Sequence, residues 1–183
     1  MSRQGRMNPR SGSSGLAVAG YAGGMAVASL IAYELTTDVL SHVRFVDRSS
    51  DLLGGMWATI ATIFVFHDSF QRSVAAALSR MAATLVSFIL CLLYLAVWPF
   101  HPVGMAALIG IGAVVVRLAG RPEDTVTTGI TTTVVMVVAA LSPHDAWLQP
   151  ILRFFDTVVG VAVGVAGAWV GSRATCFHPG PGS

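Results

Sequence analysis

Residues 57–87 read WATIATIFVFHDSFQRSVAAALSRMAATLVS: a short apolar run, a charged bend from His67 to Arg80, and a second apolar run opening on Arg80-x-x-x-Thr84-x-x-Ser87. Neither run alternates polar with apolar residues, as a strand of a membrane barrel would. A backbone crossing lipid must satisfy its own hydrogen bonds, so such runs read as helices. The stretch is therefore a helix, a polar bend and a returning helix. Its signature recurs 73 residues later as Arg153-x-x-x-Thr157-x-x-Gly160, and the same shift carries Thr59 onto Thr132 and Ser69 onto Ser142.

Outward from this stretch, the chain holds six apolar runs at about Leu16–Val39, Leu52–Phe66, Met81–Phe100, Val103–Val116, Val126–Leu141 and Phe154–Val170. Several are shorter than the roughly 20 residues that cross a ~30 Å hydrocarbon core, so the helices have to extend into their polar flanks. Asp68-Ser69 and Glu123-Asp124 are candidate N-terminal caps. The expected fold class is an all-α membrane protein of six transmembrane helices spanning residues 16–172. Residues 1–15, rich in Gly, Ser, Arg and Asn, are expected to form a disordered cytoplasmic tail, and residues 173–183 a short cytoplasmic tail. The first run follows Arg3, Arg6 and Arg10, as a secretory signal would, but its 24 residues suit a spanning helix better than a signal core of about 7–15 residues.

Composition agrees. The 183 residues are 54% hydrophobic and 11% charged with mean hydropathy +0.71, against about 25% charged in soluble domains. All basic side chains are arginine and the formal net charge is only +2, too small and scattered for a nucleic-acid footprint. Cys91 lies in an apolar run and Cys176 in the tail, with no CxxC pair or His/Cys spacing for zinc. Two free thiols, no metal and no cofactor are expected. His42, His101, His144 and His178 show no ligand spacing. Gly-x-Ser-x-Gly, P-loop and HExxH motifs are absent, and Gly110-x-Gly112 lacks the strand-turn-helix context of a dinucleotide fold, so an enzyme is not expected.

Arginine counting gives the orientation. With both termini inside, Arg3, Arg6, Arg10, Arg72, Arg80, Arg117, Arg121 and Arg173 are cytoplasmic and only Arg44, Arg48 and Arg153 lie outside. Trp98, Trp147 and the turns Trp98-Pro99-Phe100-His101-Pro102 and Ser142-Pro143-His144 then collect on the outer side. In this topology Arg80 begins the third helix at the inner face and Arg153 the sixth at the outer face. Three helices per unit is an odd number, so the two copies point in opposite directions, a construction common among secondary transporters.

An arginine in a first helical turn opposes the positive end of the helix dipole and calls for a compensating anion. Asp156, three residues along, supplies part of one to Arg153. Arg80, Arg117 and Arg153 are therefore the candidate cations for an organic anion. Thr59, Thr84, Thr128, Thr132 and Thr157 are the candidate lining, with Thr62, Thr125 and Thr133 nearby. Taken singly, each threonine reads more readily as a helix-packing residue bonded to its own backbone than as a substrate contact. Glu34, His67, Asp68 and Asp156 are the candidates for proton coupling. Gly160, Gly164, Gly167 and Gly171 allow close backbone approach, either within the protomer or across an oligomer interface. A homo-oligomeric structural module without substrate is the alternative to a transporter.

Trp57-Ala-Thr-Ile-Ala-Thr-Ile, Arg80-Met-Ala-Ala-Thr84 and Arg153-Phe-Phe-Asp156-Thr157-Val-Val-Gly160 resemble the fusaric acid resistance-like family, also called aromatic acid exporters. The resemblance covers Leu16 to Ser172. It implies a six-helix unit for efflux of small aromatic or other organic acids across the bacterial inner membrane, and distant likeness to plant malate-activated anion channels implies a channel-like alternative. The family's third helix commonly reads Arg-x-x-Gly-Thr-x-x-Gly, whereas Ala83 and Ser87 stand in the glycine places here. Larger members pair two such units, which implies a homo-oligomer, most simply a dimer, for a single unit. A periplasmic adaptor accompanies some exporters of the family.

Overall fold

The computed structural model describes residues 10–41, 48–141 and 146–176. The loop of His42 and Arg44, the Ser142-Pro143-His144 turn, His178 and residues 1–9 of the expected tail lie outside the described residues. The chain forms α1 (Arg10–Ser41), α2 (Arg48–Val65), α3 (Phe70–Leu95), α4 (Pro102–Leu118), a 3-10 turn (Pro122–Asp124), α5 (Thr125–Leu141) and α6 (Leu148–Cys176). Arg10 to Gly15, expected in the tail, are thus helical. Among the described residues four helices are long and apolar enough to cross a membrane, over Val18–Asp38, Phe70–Leu95, Pro122–Leu141 and Leu148–Arg173, and two shorter apolar helices span Leu52–Val65 and Pro102–Leu118.

Local chemistry sets the boundaries. The Ser73 hydroxyl accepts from the His67 backbone N–H at 3.0 Å and closes the α2–α3 bend. From Phe70 to Leu95 neither Gly nor Pro interrupts the chain, and Ala75-Ala76-Ala77-Leu78 are strong helix formers. The third helix therefore begins ten residues before Arg80, and Arg80 lies well inside it rather than at its head. Pro102 opens α4, where its missing N–H costs nothing, and His101 Nδ1 accepts from Val103 N at 3.2 Å. Gly120, at φ +76°, ends α4 with Gly120 N bonded to Arg117 O and Arg121 N to Val116 O, a left-handed glycine cap.

Contacts fix the helix directions. Gly54 faces Thr36, Gly55 faces Tyr33, and Tyr21 donates to Phe66 O at 3.1 Å, so α1 and α2 run antiparallel. Gly160 lies on Ala58 and Ala61, and Gly164 on Thr62 and Val65, so α2 and α6 run parallel. Ser79 donates to Asp124, and Thr132 donates to Ser87 at 3.2 Å, so α3 and α5 are parallel as well. Gly112 faces Thr128 and Gly129 faces Ile109, which makes α4 and α5 antiparallel. Phe88 and Phe154 rings lie 5.2 Å apart across the seam where α3 meets α6. Around that seam α1, α2 and α6 pack together on one side, and α3, α4 and α5 on the other.

Candidate functional site

The seam between α2, α3 and α6 holds the polar residues. Trp57, buried on α2, donates its indole N–H to Thr157 Oγ1 at 3.0 Å, and Thr157 in turn donates to its own-helix Arg153 O at 2.8 Å. The guanidinium carbon of Arg80 lies 5.2 Å from the Trp57 ring centre and 5.0 Å from that of Phe64, within the range of cation–π attraction. Trp57 and Phe64 are seven residues apart, which puts both rings on one face of α2. Phe64 is itself half exposed and walls Arg80 from the lipid side.

Arg80 is only 3% exposed, and its Nε and Nη2 have no hydrogen-bond partner among the described residues. No carboxylate there lies within 4.0 Å of it. Thr84, one turn along the same face, is also buried with an unpartnered hydroxyl. Buried polar groups ordinarily find partners, and this is more pressing for a cation that cannot shed its proton. One turn of α3 therefore offers a positive charge with two guanidinium nitrogens and a hydroxyl that have no hydrogen-bond partner among the described residues.

Arg153 is different. Its Nη1 lies 2.9 Å from Asp156 Oδ2, both side chains being buried. The contact is an ion pair by distance without hydrogen-bond alignment, since both Asp156 oxygens, and Arg153 Nε and Nη2, lack a hydrogen-bond partner of good geometry. A second pair closes one end of the bundle: Asp124, buried, meets Arg121 Nε at 2.7 Å and accepts from the Ser79 hydroxyl of α3. The Ser79 and Asp124 part in this closure carried no signal in the sequence, where Asp124 reads as a helix cap.

Of the candidate site residues, Arg80, Thr84, Arg153, Asp156 and Thr157 come together along this seam. Thr128 and Thr132 are buried one interface away, between α5 and α3, where Ser87 donates to Thr128 O at 3.0 Å and accepts from Thr132. Arg117 is exposed in the last turn of α4, the end of a helix dipole that favours a cation. Thr59 points away from the seam, bonding to Gly55 O at 2.9 Å and toward Ser29 O of α1. It is Thr62 that reaches α6, donating to Gly160 O at 2.9 Å. Glu34 is exposed on α1. His67 and Asp68 sit at the α2–α3 bend, where Asp68 pairs with exposed Arg72 at 3.1 Å. Both line an apolar groove of about 790 Å³ between α1 and α6. Of the four proton-coupling candidates only Asp156 enters the seam.

The glycines of α6 work inside the protomer. Gly160, Gly164 and Gly167 pack on Ala58, Thr62, Val65, Phe66 and Ala28, so three of the four positions considered for an oligomer interface are already covered. Trp57 and Phe64 were not legible as site residues, because an aromatic pair at helical spacing in an apolar run reads as core. Substituting Trp57→Phe removes the indole donor while keeping the ring. It is expected to lower stability by about 0.6–1.7 kcal/mol, the range for hydrogen bonds between membrane helices, as a lowered midpoint in thermal unfolding of the detergent-solubilised protein.

Comparison with known proteins adds the family. No curated protein and no solved structure matches the chain. A family model described as fusaric acid resistance protein-like matches residues 42–167, which takes in α2 to α5, most of α6 and both arginine signatures. The chain is a multi-pass, all-helical membrane protein that belongs to the fusaric acid resistance protein-like family of membrane transporters.

Proposed function

We propose that this protein exports a small aromatic or other organic acid, as its anion, across the bacterial inner membrane. The observation that carries the reading is Arg80, a buried cation deep in a membrane-spanning helix, with two donor nitrogens unpartnered among the described residues. Charges inside a membrane protein are costly and mark substrate or ion pathways. An organic anion is the ligand that would offset this one, with Thr84 beside it, Arg153 farther along the seam and Thr157 as polar lining, while Thr128 and Thr132 would line a path one interface away, between α3 and α5. Asp156 is the coupling group of this reading, being the carboxylate buried against the same seam.

Two inverted three-helix repeats support a carrier mechanism. Exchanging α1 with α4, α2 with α5 and α3 with α6 carries each packed helix pair onto another packed pair, with α3 against α6 mapping onto itself. The exchange also reverses helix direction. Transporters commonly place the substrate between such repeats and rock one against the other. The arginine distribution supports a topology with both termini in the cytoplasm, and a homodimer would provide the paired units the family resemblance implies.

The test is anion movement in proteoliposomes, measured with radiolabelled benzoate. Arg80→Ala is expected to slow it about 10- to 100-fold, the loss of a charge-assisted hydrogen bond of about 1.5–3 kcal/mol, whereas Arg80→Lys retains part of the rate. Wild-type protein that moves neither aromatic nor dicarboxylic acids, or an Arg80→Ala variant as fast as wild type, overturns the proposal.

A further inference from the structure

The two arginine copies are unequal. Shifting by 73 residues places Asp156 on Ala83, so the copy around Arg153 holds its own carboxylate while the copy around Arg80 holds a methyl group at the same place. Ala83 is fully buried. The difference is one negative charge, and it falls on the same helical face in both copies, three residues after the arginine.

The unpartnered atoms say what would replace it. Nε and Nη2 are the two nitrogens on one edge of the guanidinium. Their N–H bonds run parallel and match the two oxygens of a carboxylate. At Arg80 that edge is free among the described residues, and the rings of Trp57 and Phe64 stand about 5 Å from the guanidinium carbon. Among the described residues the buried charges of the seam are Arg80, Arg153 and Asp156, which leaves one net positive charge. One carboxylate brings the seam to neutrality. A second carboxylate on the same ligand would leave an unmatched negative charge in a water-poor interior, at the cost that buried unpaired charges carry.

We infer that the Arg80 edge is the carboxylate seat of this protein and that Asp156, by neutralising Arg153, restricts the seat to singly charged carboxylates over dianions of the same shape. Ala83 leaves Arg80 without the internal carboxylate that Arg153 has, and Asp156 is the specificity-determining residue. This rests on the organic-anion reading and refines it.

Benzoate and terephthalate share a ring and differ by one carboxylate. With the full chain in nanodiscs, isothermal titration is expected to show benzoate binding at least ten-fold more tightly than terephthalate. Asp156→Asn keeps the side-chain shape and uncovers the Arg153 charge, and it is expected to shrink that preference at least ten-fold by strengthening terephthalate binding. Ala83→Asp gives Arg80 an internal partner as Asp156 gives Arg153. It is expected to weaken benzoate binding at least ten-fold more than Ala83→Asn, which has the same bulk without the charge. Size-exclusion profiles and circular dichroism confirm that the variants compared are folded. If Asp156→Asn does not fold, the Ala83 pair decides. Equal binding by Ala83→Asp and Ala83→Asn, a wild-type preference for terephthalate, or an unchanged ratio in folded Asp156→Asn overturns the inference. Export of benzoate would then stand while the charge rule failed. If wild type binds neither acid, the organic-anion reading falls first and takes this one with it.

Discussion

Gly160→Leu is expected to prevent assembly of the folded bundle, with no monodisperse protein recovered after detergent extraction. A side chain at this position would begin inside the Ala58 carbonyl oxygen and 2.8 Å from the Ala61 Cβ. A flexible neighbour could swing aside, but a carbonyl oxygen belongs to the α2 backbone, so α2 and α6 would have to separate along their length. Separation also breaks the Thr62 to Gly160 hydrogen bond and pulls Trp57 from Thr157. Overpacking a tight interior typically costs about 1–3 kcal/mol and more where backbone must move. Even Gly160→Ala should therefore lower the unfolding midpoint clearly. Gly110 is the contrast, since nothing lies within 4 Å of the position a Cβ would take. There Gly110→Ala should be neutral or stabilise by up to about 1 kcal/mol through helix propensity alone. Fluorescence-detected size exclusion and thermal unfolding of both alanine variants and of Gly160→Leu read out the difference.

Arg153→Leu should destabilise the protein by about 3–5 kcal/mol, because it strands the Asp156 carboxylate in the interior. The pair lies 2.9 Å apart with both side chains buried, and the other Asp156 oxygen faces Gly54 without a hydrogen-bond partner. Among the described residues no cation other than Arg153 lies within 4.0 Å of that carboxylate. The double variant Arg153→Leu/Asp156→Leu removes both charges and is expected to recover most of the loss, since apolar replacements of a buried pair are often neutral or better. Thermal or denaturant unfolding of the single and double variants measures it. A double variant as unstable as the single one would mean that the cost comes from lost packing rather than from the stranded charge.

The six helices were legible because lipid leaves so few choices. Charge, proline and aspartate punctuate the apolar runs, and α4 and α5 begin within a residue of Val103 and Val126. The start of α3 was not. Ser69 to Ser79 is polar at its head and alanine-rich after it, and nothing in hydropathy says that a membrane helix continues through Arg80. What allows it is tertiary: Trp57 and Phe64 shelter the guanidinium, and their part in it depends on how α2 is rotated. The same rotation decides between Thr59 and Thr62. The 73-residue shift pointed to Thr59, yet α2 turns Thr62 toward α6 and Thr59 toward α1. The contacts among Arg153, Asp156 and Thr157 were readable because they are local, three and four residues apart on one helix. Ser87 was noted for its place in the repeat, and only the α3–α5 register assigns it to Thr128 and Thr132.

The bond between Ser79 and Asp124 sets the depth of the α4–α5 turn. That turn meets α3 nine residues after Phe70, about 13 Å along a helix rising 1.5 Å per residue. The bilayer therefore meets a wall of uneven height, with 26 residues in α3 but 17 in α4. Lipid beside α4 adjusts by thinning, at fractions of a kcal/mol per Å. On that flank the end of the α4–α5 hairpin lies at about the level of Arg80, one residue beyond Ser79. An anion that reached Arg80 from that flank would have crossed little of the membrane's electric field, and most of the roughly 2.3 kcal/mol that each charge feels per 100 mV would be left for the step beyond it. Binding at Arg80 should thus be nearly indifferent to voltage from that side, while passage toward Arg153 carries the voltage dependence of transport.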